Sequence, residues 1–496
     1  MSFKITFIGA GSIGFTRKLV QDLLGVPEFK DIRIAFTDIN EQNLEMVTQL
    51  CQRDIDANGM DIRIESTLDR REAIRDARYI MSVVRVGGLE AFQHDVDIPL
   101  KYGVDQCVGD TLCAGGLMYA QRGIPVILDF CKDIAEVAEP GAMMLNYANP
   151  MAMMTWAANK YGYGVKTIGL CHGVQNGHRL IADAFGLPQE EIDIVCAGIN
   201  HQTWYLKIGH EGRDLTGELL ETLEKHPVYS EQEKVRIDVL KRFGAFSTES
   251  NGHLSEYLAW YRKRPEEIND WISLSHWIHG ESGGYLRVCT EGRSWFETDF
   301  PNWLKQPPNT FGPDNRGHEH GSYIIEGLET GRVYRGHFNL PNNGVISNLP
   351  DDCIIEAPGY VDRNGISMPT VGDLPLGLAA ICQQSVDVQR MGMEAAVKGD
   401  DTLLRQAMIM DPLVGATCTP PEAWQMTDEM LVATEDWLPQ YGEAIASAKV
   451  RIADTDSLLP TNDGYRGAAR LKVKSVEEMA SDKASARDNA AKADKG

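Results

Sequence analysis

The chain has 496 residues, 43% hydrophobic and 24% charged, which is ordinary globular composition. Acidic residues outnumber basic ones 71 to 48, giving a formal net charge of −23. So acidic a body would repel nucleic acid and anionic membrane surfaces, so neither is expected as a partner. The length suggests two to three domain-sized units, with cores that need no disulfide staples. The ten cysteines are dispersed without a C-x-x-C pair, so neither a zinc knuckle nor a disulfide framework is indicated. They read as reduced, mostly buried thiols of a cytoplasmic protein. The opening MSFKITFIGAGSIGF lacks the basic region and long apolar stretch of a secretory signal, and no run of about 18 apolar residues offers a membrane span.

Residues 4–8 form a short apolar run ending in glycine, the pattern of a buried strand. Residues 15–24 have helical periodicity. A second strand is predicted over 32–37, ending at Asp38, and a long amphipathic helix over 41–58. Further strands are predicted over 61–65, 78–84, 142–146 and 167–170. Such alternation builds a parallel, doubly wound sheet of Rossmann type, with ligands at the carboxyl ends of the strands. Those ends are residues 9–14, Asp38, 85–88, 146–149 and 171–172.

From about residue 202 the rhythm changes. Long helices are predicted over 217–245, 380–410 and 421–447, with Trp-, Gly- and Pro-rich loops between 290 and 316. The expected organisation is a doubly wound Rossmann-type domain over 1–200 and a second, α+β domain over 201–473. Residues 474–496 are rich in Ala, Lys and Asp and nearly free of large apolar groups. They read as a disordered or frayed helical tail.

Gly9-Ala10-Gly11-Ser12-Ile13-Gly14 is a G-x-G-x-x-G run that follows a strand and opens a helix. Gly9 suits the tight turn, Gly11 a close approach of backbone to pyrophosphate, and Gly14 close helix–strand packing. The helix N-terminus offers N–H donors to the phosphates. Asp38 is placed to accept hydrogen bonds from a ribose diol and to repel a 2′-phosphate, which favours NAD over NADP. Arg85, at the end of another strand, is a further candidate on the cofactor side.

Four polar sites stand out beyond that turn: Asn149-Pro150, Cys171-His172, Asn200-His201, and His253 through Tyr257. Each alone has an ordinary reading. A Cys and a His 30 residues apart are seldom a metal pair, a tyrosine usually packs, and Asn before Pro forms turns. Position adds weight, because Asn149 and Cys171-His172 both end strands on the crevice where a nicotinamide would lie.

These pieces together resemble glycoside hydrolase family 4, the NAD- and metal-dependent glycosidases. The matching segments are FIGAGS at 7–12, DTLCAGG at 110–116, LNYANPMAM at 145–153, LCHGV at 170–174, AGINH at 197–201, HLSEY at 253–257, NLP at 348–350 and VDRNGI at 361–366. Their order and spacing hold from residue 3 to about 440. NPMAMMTWA and Cys-His-Gly-Val point to the α-galactosidase branch, with α-galacturonidases, α-glucuronidases and α-glucosidases sharing much of the pattern. The sequence departs from the family at Cys113-Ala114, where Gly-Pro is usual. It departs again at Gly317 to Ser322, where an Arg-Glu-Tyr run is expected and His318 takes the place of a substrate-orienting arginine.

The resemblance implies a redox-elimination cycle on a small α-glycoside. NAD removes a hydride from sugar carbon 3, a base removes the acidified proton from carbon 2, the glycosidic group leaves, water adds, and the hydride returns. It implies Tyr257 as the base, His172 as the leaving-group acid, Asn149 and His318 on the substrate, and Cys171 and His201 on a divalent metal, manganese by family habit. It also implies NAD binding in the 1–200 domain and substrate binding and catalysis in the 201–473 domain, arranged as in lactate and malate dehydrogenases, and a homodimer or homotetramer. The Rossmann half alone would equally suit a plain sugar or hydroxyacid dehydrogenase, and the altered residue at 318 would suit a non-enzymatic NAD or sugar sensor.

Overall fold

The structure is a computed structural model that describes residues 2–493. Among the described residues thirteen strands form one sheet. They are β1 (Lys4–Ile8), β2 (Arg33–Thr37), β3 (Ile64–Ser66), β4 (Tyr79–Ser82), β5 (Met143–Asn146), β6 (Lys166–Gly169), β7 (Ile192–Ile199), β8 (Gln202–His210), β9 (Arg213–Asp214), β10 (Phe246–Ser247), β11 (Tyr334–Pro341), β12 (Ile354–Asp362) and β13 (Gly365–Ser367).

Strands β3-β2-β1-β4-β5-β6 lie side by side in that order and are all parallel. This is the doubly wound order of a dinucleotide-binding sheet, with its switch point between β1 and β4. Alternate strand residues enter two separate cores, as a period of two requires. Ile5, Phe7, Ile34, Phe36, Met81 and Leu145 enter one core with the helices Ile13–Leu24, Glu41–Ala57 and His320–Thr330. Ile8, Ile80 and Met144 face the helices Cys113–Val137 and Met151–Tyr161.

The sheet does not end at β6. Asn339 of β11 pairs antiparallel with Gly169, and β12, β7, β8 and β10 extend the sheet from there. The second half is thus an antiparallel sheet with helices packed on it. β7 and β8 form a hairpin whose two-residue turn is Asn200-His201. His201 sits at φ +65°, a left-handed conformation that a non-glycine residue adopts at a cost.

The long helices predicted in this half are broken where the backbone requires it. The 217–245 stretch becomes Leu219–Lys225, Tyr229–Gln232 and Lys234–Phe243, interrupted at Pro227. The 380–410 stretch divides into Leu376–Lys398 and Asp401–Met410 at Gly399, φ +67°, and Asp400 caps the second helix by accepting the Leu403 N–H at 3.0 Å. Between Pro420–Ala433 and Gly442–Ala453 the chain makes two short 3₁₀ turns. The 474–496 segment carries a helix, Val476–Ala493, tied down by the Lys483–Asp299 ion pair at 2.5 Å; residues 494–496 lie outside the described residues. Among the described residues no helix is long and apolar enough to cross a membrane.

Candidate active site

The turn after β1 is shaped by its first two glycines. Gly9 has φ +85°, and a Cβ there would lie 2.8 Å from Val84 Cγ1. Gly11 donates its N–H to Asp38 Oδ2 at 2.8 Å, and Asn40 donates to Oδ1 at 2.9 Å. A side chain at Gly11 would collide with that carboxylate. Asp38, at the end of β2, is therefore fixed at the mouth of the turn with lone pairs still free to accept. Gly14 does not serve the packing role predicted for it. It is exposed in the first turn of the helix, and a Cβ there would meet nothing within 4 Å; Ile13 and Thr16 make the buried contacts instead.

A cleft of about 1350 Å³ runs from this turn to the polar constellation. Gly9, Gly11, Ser12 and Asp38 line one end, and Asn149, Cys171, His172 and His201 the other. Arg85 lies in the cleft wall, its guanidinium 4.5 Å from the Phe92 ring and 3.4 Å from Asp110 Oδ2. Asn149 donates to the same Asp110 oxygen at 3.2 Å. Asp110 is buried and ties Arg85 to Asn149, a role the sequence reading did not assign to it.

The floor holds the strongest chemical feature. Cys171 Sγ is 3.4 Å from His201 Nε2 and 3.7 Å from Glu249 Oε1, and those last two atoms are 3.6 Å apart. Thiolate, imidazole and carboxylate donors at such spacing can share one cation at bonds of about 2.0–2.3 Å. Cys171 follows β6, His201 is offered by the hairpin turn, and Glu249 follows β10. The sequence reading found the first two and missed Glu249, which arrives only through pairing of Phe246-Ser247 with β8.

The electrostatics fit such a use. Burial pushes the Cys171 thiol well above its ordinary value, and the charges of Glu249 and Glu356 push it further. Burial also pushes Glu249 up, but His201 and His253, then His172 and Arg236, outweigh it and bring the carboxyl down to about 2. A divalent cation would compensate this buried anionic set and convert the thiol to a thiolate ligand.

The remaining predicted residues divide. His172 begins the helix Gly173–Phe185, stands exposed in the cleft and places Nδ1 3.8 Å from buried Glu319 Oε1. Tyr257 is wholly buried behind the cleft wall, its hydroxyl 3.2 Å from His201 Nδ1. Burial raises its phenol well above the ordinary value, reinforced by Glu256, Asp110 and Glu249. His318 is exposed and is not brought to the cleft; its backbone carbonyl accepts from Gln175 at 3.1 Å. Cys113, the departure from Gly-Pro, has φ +61°, so this chain places a side chain where glycine is the unstrained choice. Its N–H donates to Asp411 Oδ2 at 3.1 Å.

The family model described as family 4 glycosyl hydrolase matches residues 4–187, and that of the family's C-terminal domain matches residues 196–414. The chain is 59% identical over 491 residues to an α-galactosidase of Rhizobium meliloti, covering 99% of both chains. It is 33% identical to an α-galactosidase of Bacillus subtilis, covering 88% of this chain and 99% of that one. A solved 6-phospho-α-glucosidase from gut microorganisms, in complex with NAD and glucose-6-phosphate, superposes with a TM-score of 0.74 at 25% identity, covering 88% of this chain and 99% of the other. The chain belongs to family 4 of the glycosyl hydrolases.

Proposed function

We propose that the protein hydrolyses α-galactosides with NAD and a divalent cation, manganese being the family's habit, as cofactors. The observation that carries this reading is the sharing of one cleft by the Gly9–Asp38 turn and the Cys171–His201–Glu249 donor set. A dehydrogenase needs only the first, and neither a dehydrogenase nor a sensor explains the second. The two α-galactosidase relatives support the sugar, and the NAD complex of the structural relative supports the dinucleotide.

When bound, NAD supplies a transient hydride acceptor, and the cation supplies positive charge against oxyanions developing on the sugar. Asp38 accepts from the ribose diol and repels a 2′-phosphate. Cys171, His201 and Glu249 hold the cation. Asn149 offers a side chain to a sugar hydroxyl. Tyr257 takes the proton from carbon 2, and His172 gives one to the departing glycosidic oxygen. Tyr257 is wholly buried here beside His201 and His253, with ring centroids 6.1 and 6.0 Å from its own, so substrate meets the phenol only once the packing around it opens. The reading extends to a cytoplasmic homodimer or homotetramer; ten unpaired thiols, eight of them buried, suit a reducing compartment.

Incubation with NAD, Mn²⁺, a thiol reductant and an aryl α-galactoside should release the phenol without accumulating NADH. A substrate deuterated at carbon 2 should react more slowly or exchange its label with solvent. Failure to release phenol from any α-glycoside or α-uronide would sink the hydrolase reading, and accumulation of NADH would replace it with a dehydrogenase.

A further inference from the structure

Five residues stand in one row across the sheet: Gly169 on β6, Asn339 on β11, Glu356 on β12, Gly198 on β7 and Thr203 on β8. Each is the register partner of the next. Residues so paired present the same face. Gly198 has no side chain, so Thr203 Oγ1 reaches past it to Glu356 Oε2 at 2.7 Å. On the other side Asn339 donates to Glu356 Oε1 at 3.1 Å, and a Cβ on Gly169 would lie 3.0 Å from Asn339 Cβ. Glu356 is thus wholly buried between two neutral side chains.

The hydrogen atoms in this row do not suffice for an ionised Glu356. Thr203 Oγ1 is also 2.8 Å from the carbonyl oxygen of Ile199. A hydroxyl has one hydrogen, and both the Ile199 carbonyl and a carboxylate can only accept. Both short contacts are satisfied together when Glu356 carries a proton and donates it to Thr203, which donates in turn to Ile199. That chain closes over the Asn200-His201 turn. Through Asn339, the same carboxyl bears on Gly169, two residues before Cys171.

We propose that Glu356 is a neutral, proton-bearing positioning residue that braces the two segments presenting Cys171 and His201. Among the described residues the titratable groups facing it are Glu249, Cys171, Cys196 and Tyr205, none of them a basic side chain. Burial raises its pKa to about 7 against the pull of Thr203 and Asn339. A neutral Glu356 spares the thiolate and carboxylate donors a further buried anion. The positioning role rests on the ligand reading of Cys171 and His201; the proton does not.

Infrared spectra of the full-length wild type and Glu356→Gln test the proton without any activity measurement. The difference spectrum at pH 6 should contain a protonated-carboxyl band that gives way to a carboxylate band by pH 9. A carboxylate band already present at pH 6 overturns the proposal. Mn²⁺ titration tests the brace. Gln retains one donor and one acceptor, so its affinity should stay within about threefold of wild type, while Glu356→Ala and Thr203→Val should lose about 10- to 100-fold. Gln as damaging as Ala, or Ala without effect, overturns the brace. A wild type that binds no Mn²⁺ removes the ligand reading and the positioning role together, leaving the proton to the infrared result.

Discussion

The Tyr257 hydroxyl lies 3.2 Å from Nδ1 of His201, the nitrogen opposite the one that faces Cys171. A cation held by Nε2 would draw electrons through the ring and strengthen Nδ1–H as a donor toward the phenol oxygen. On the proposed roles, metal binding and base strength would then be coupled through one imidazole. His201→Asn should lower Mn²⁺ affinity and kcat/KM by at least about a hundredfold. NAD affinity, measured by fluorescence titration, should change little, because the dinucleotide turn lies at the far end of the cleft. Chelation of wild type should abolish turnover, and added Mn²⁺ should restore it.

Asp38 accepts from Gly11 and Asn40 and faces the cleft. Asp38→Ser keeps a short acceptor but loses the charge. NAD should bind about 10- to 100-fold more weakly, the worth of a charge-assisted hydrogen bond. The preference over NADP should narrow, as read from cofactor titrations of turnover.

Gly115 and Gly116 follow Cys113-Ala114 in the first turn of the helix Cys113–Val137. A Cβ on Gly116 would run into the Thr111 backbone, beside Asp110. Backbone cannot yield cheaply, so Gly116→Ala should cost about 3 kcal/mol or more in denaturant unfolding. Gly14→Ala, in the open, should be neutral or slightly stabilising in the same assay.

Burial raises Glu394, but Lys160, Lys398 and Tyr161 outweigh it and hold the carboxyl down to about 2 against an ordinary 4.5. These bonds tie the end of Met151–Tyr161, the helix after Asn149, to Leu376–Lys398. A depressed carboxyl contributes stability above pH 4.5 and loses it as the pH falls toward 2. Both lysines are well exposed, so solvent screening reduces the contribution to about 1 kcal/mol. Glu394→Gln should cost that much at pH 7, with the gap to wild type closing on acidification below 4.5.

The parallel half was legible because its signals are local. The glycine turn, Asp38 and the strand ends carrying Asn149 and Cys171 each occupy a few consecutive residues. Glu249 was not legible, because it joins Cys171 and His201 only through long-range strand pairing. The same holds for β11 and β12, whose place beside β6 depends on a contact between Gly169 and Asn339. Periodicity merged helices that Pro227 and Gly399 separate. The motif assigns Gly14 a packing role because it describes spacing, whereas the surroundings of Gly14 depend on where the helix turns outward.

The pairing of Gly169 with Asn339 makes the cofactor half and the sugar half one slab. Lobes welded along a common seam cannot swing like a jaw, so reactants must pass by movement of side chains and rim loops, such as the Trp277–Tyr285 wall. Heating should melt both halves in a single step.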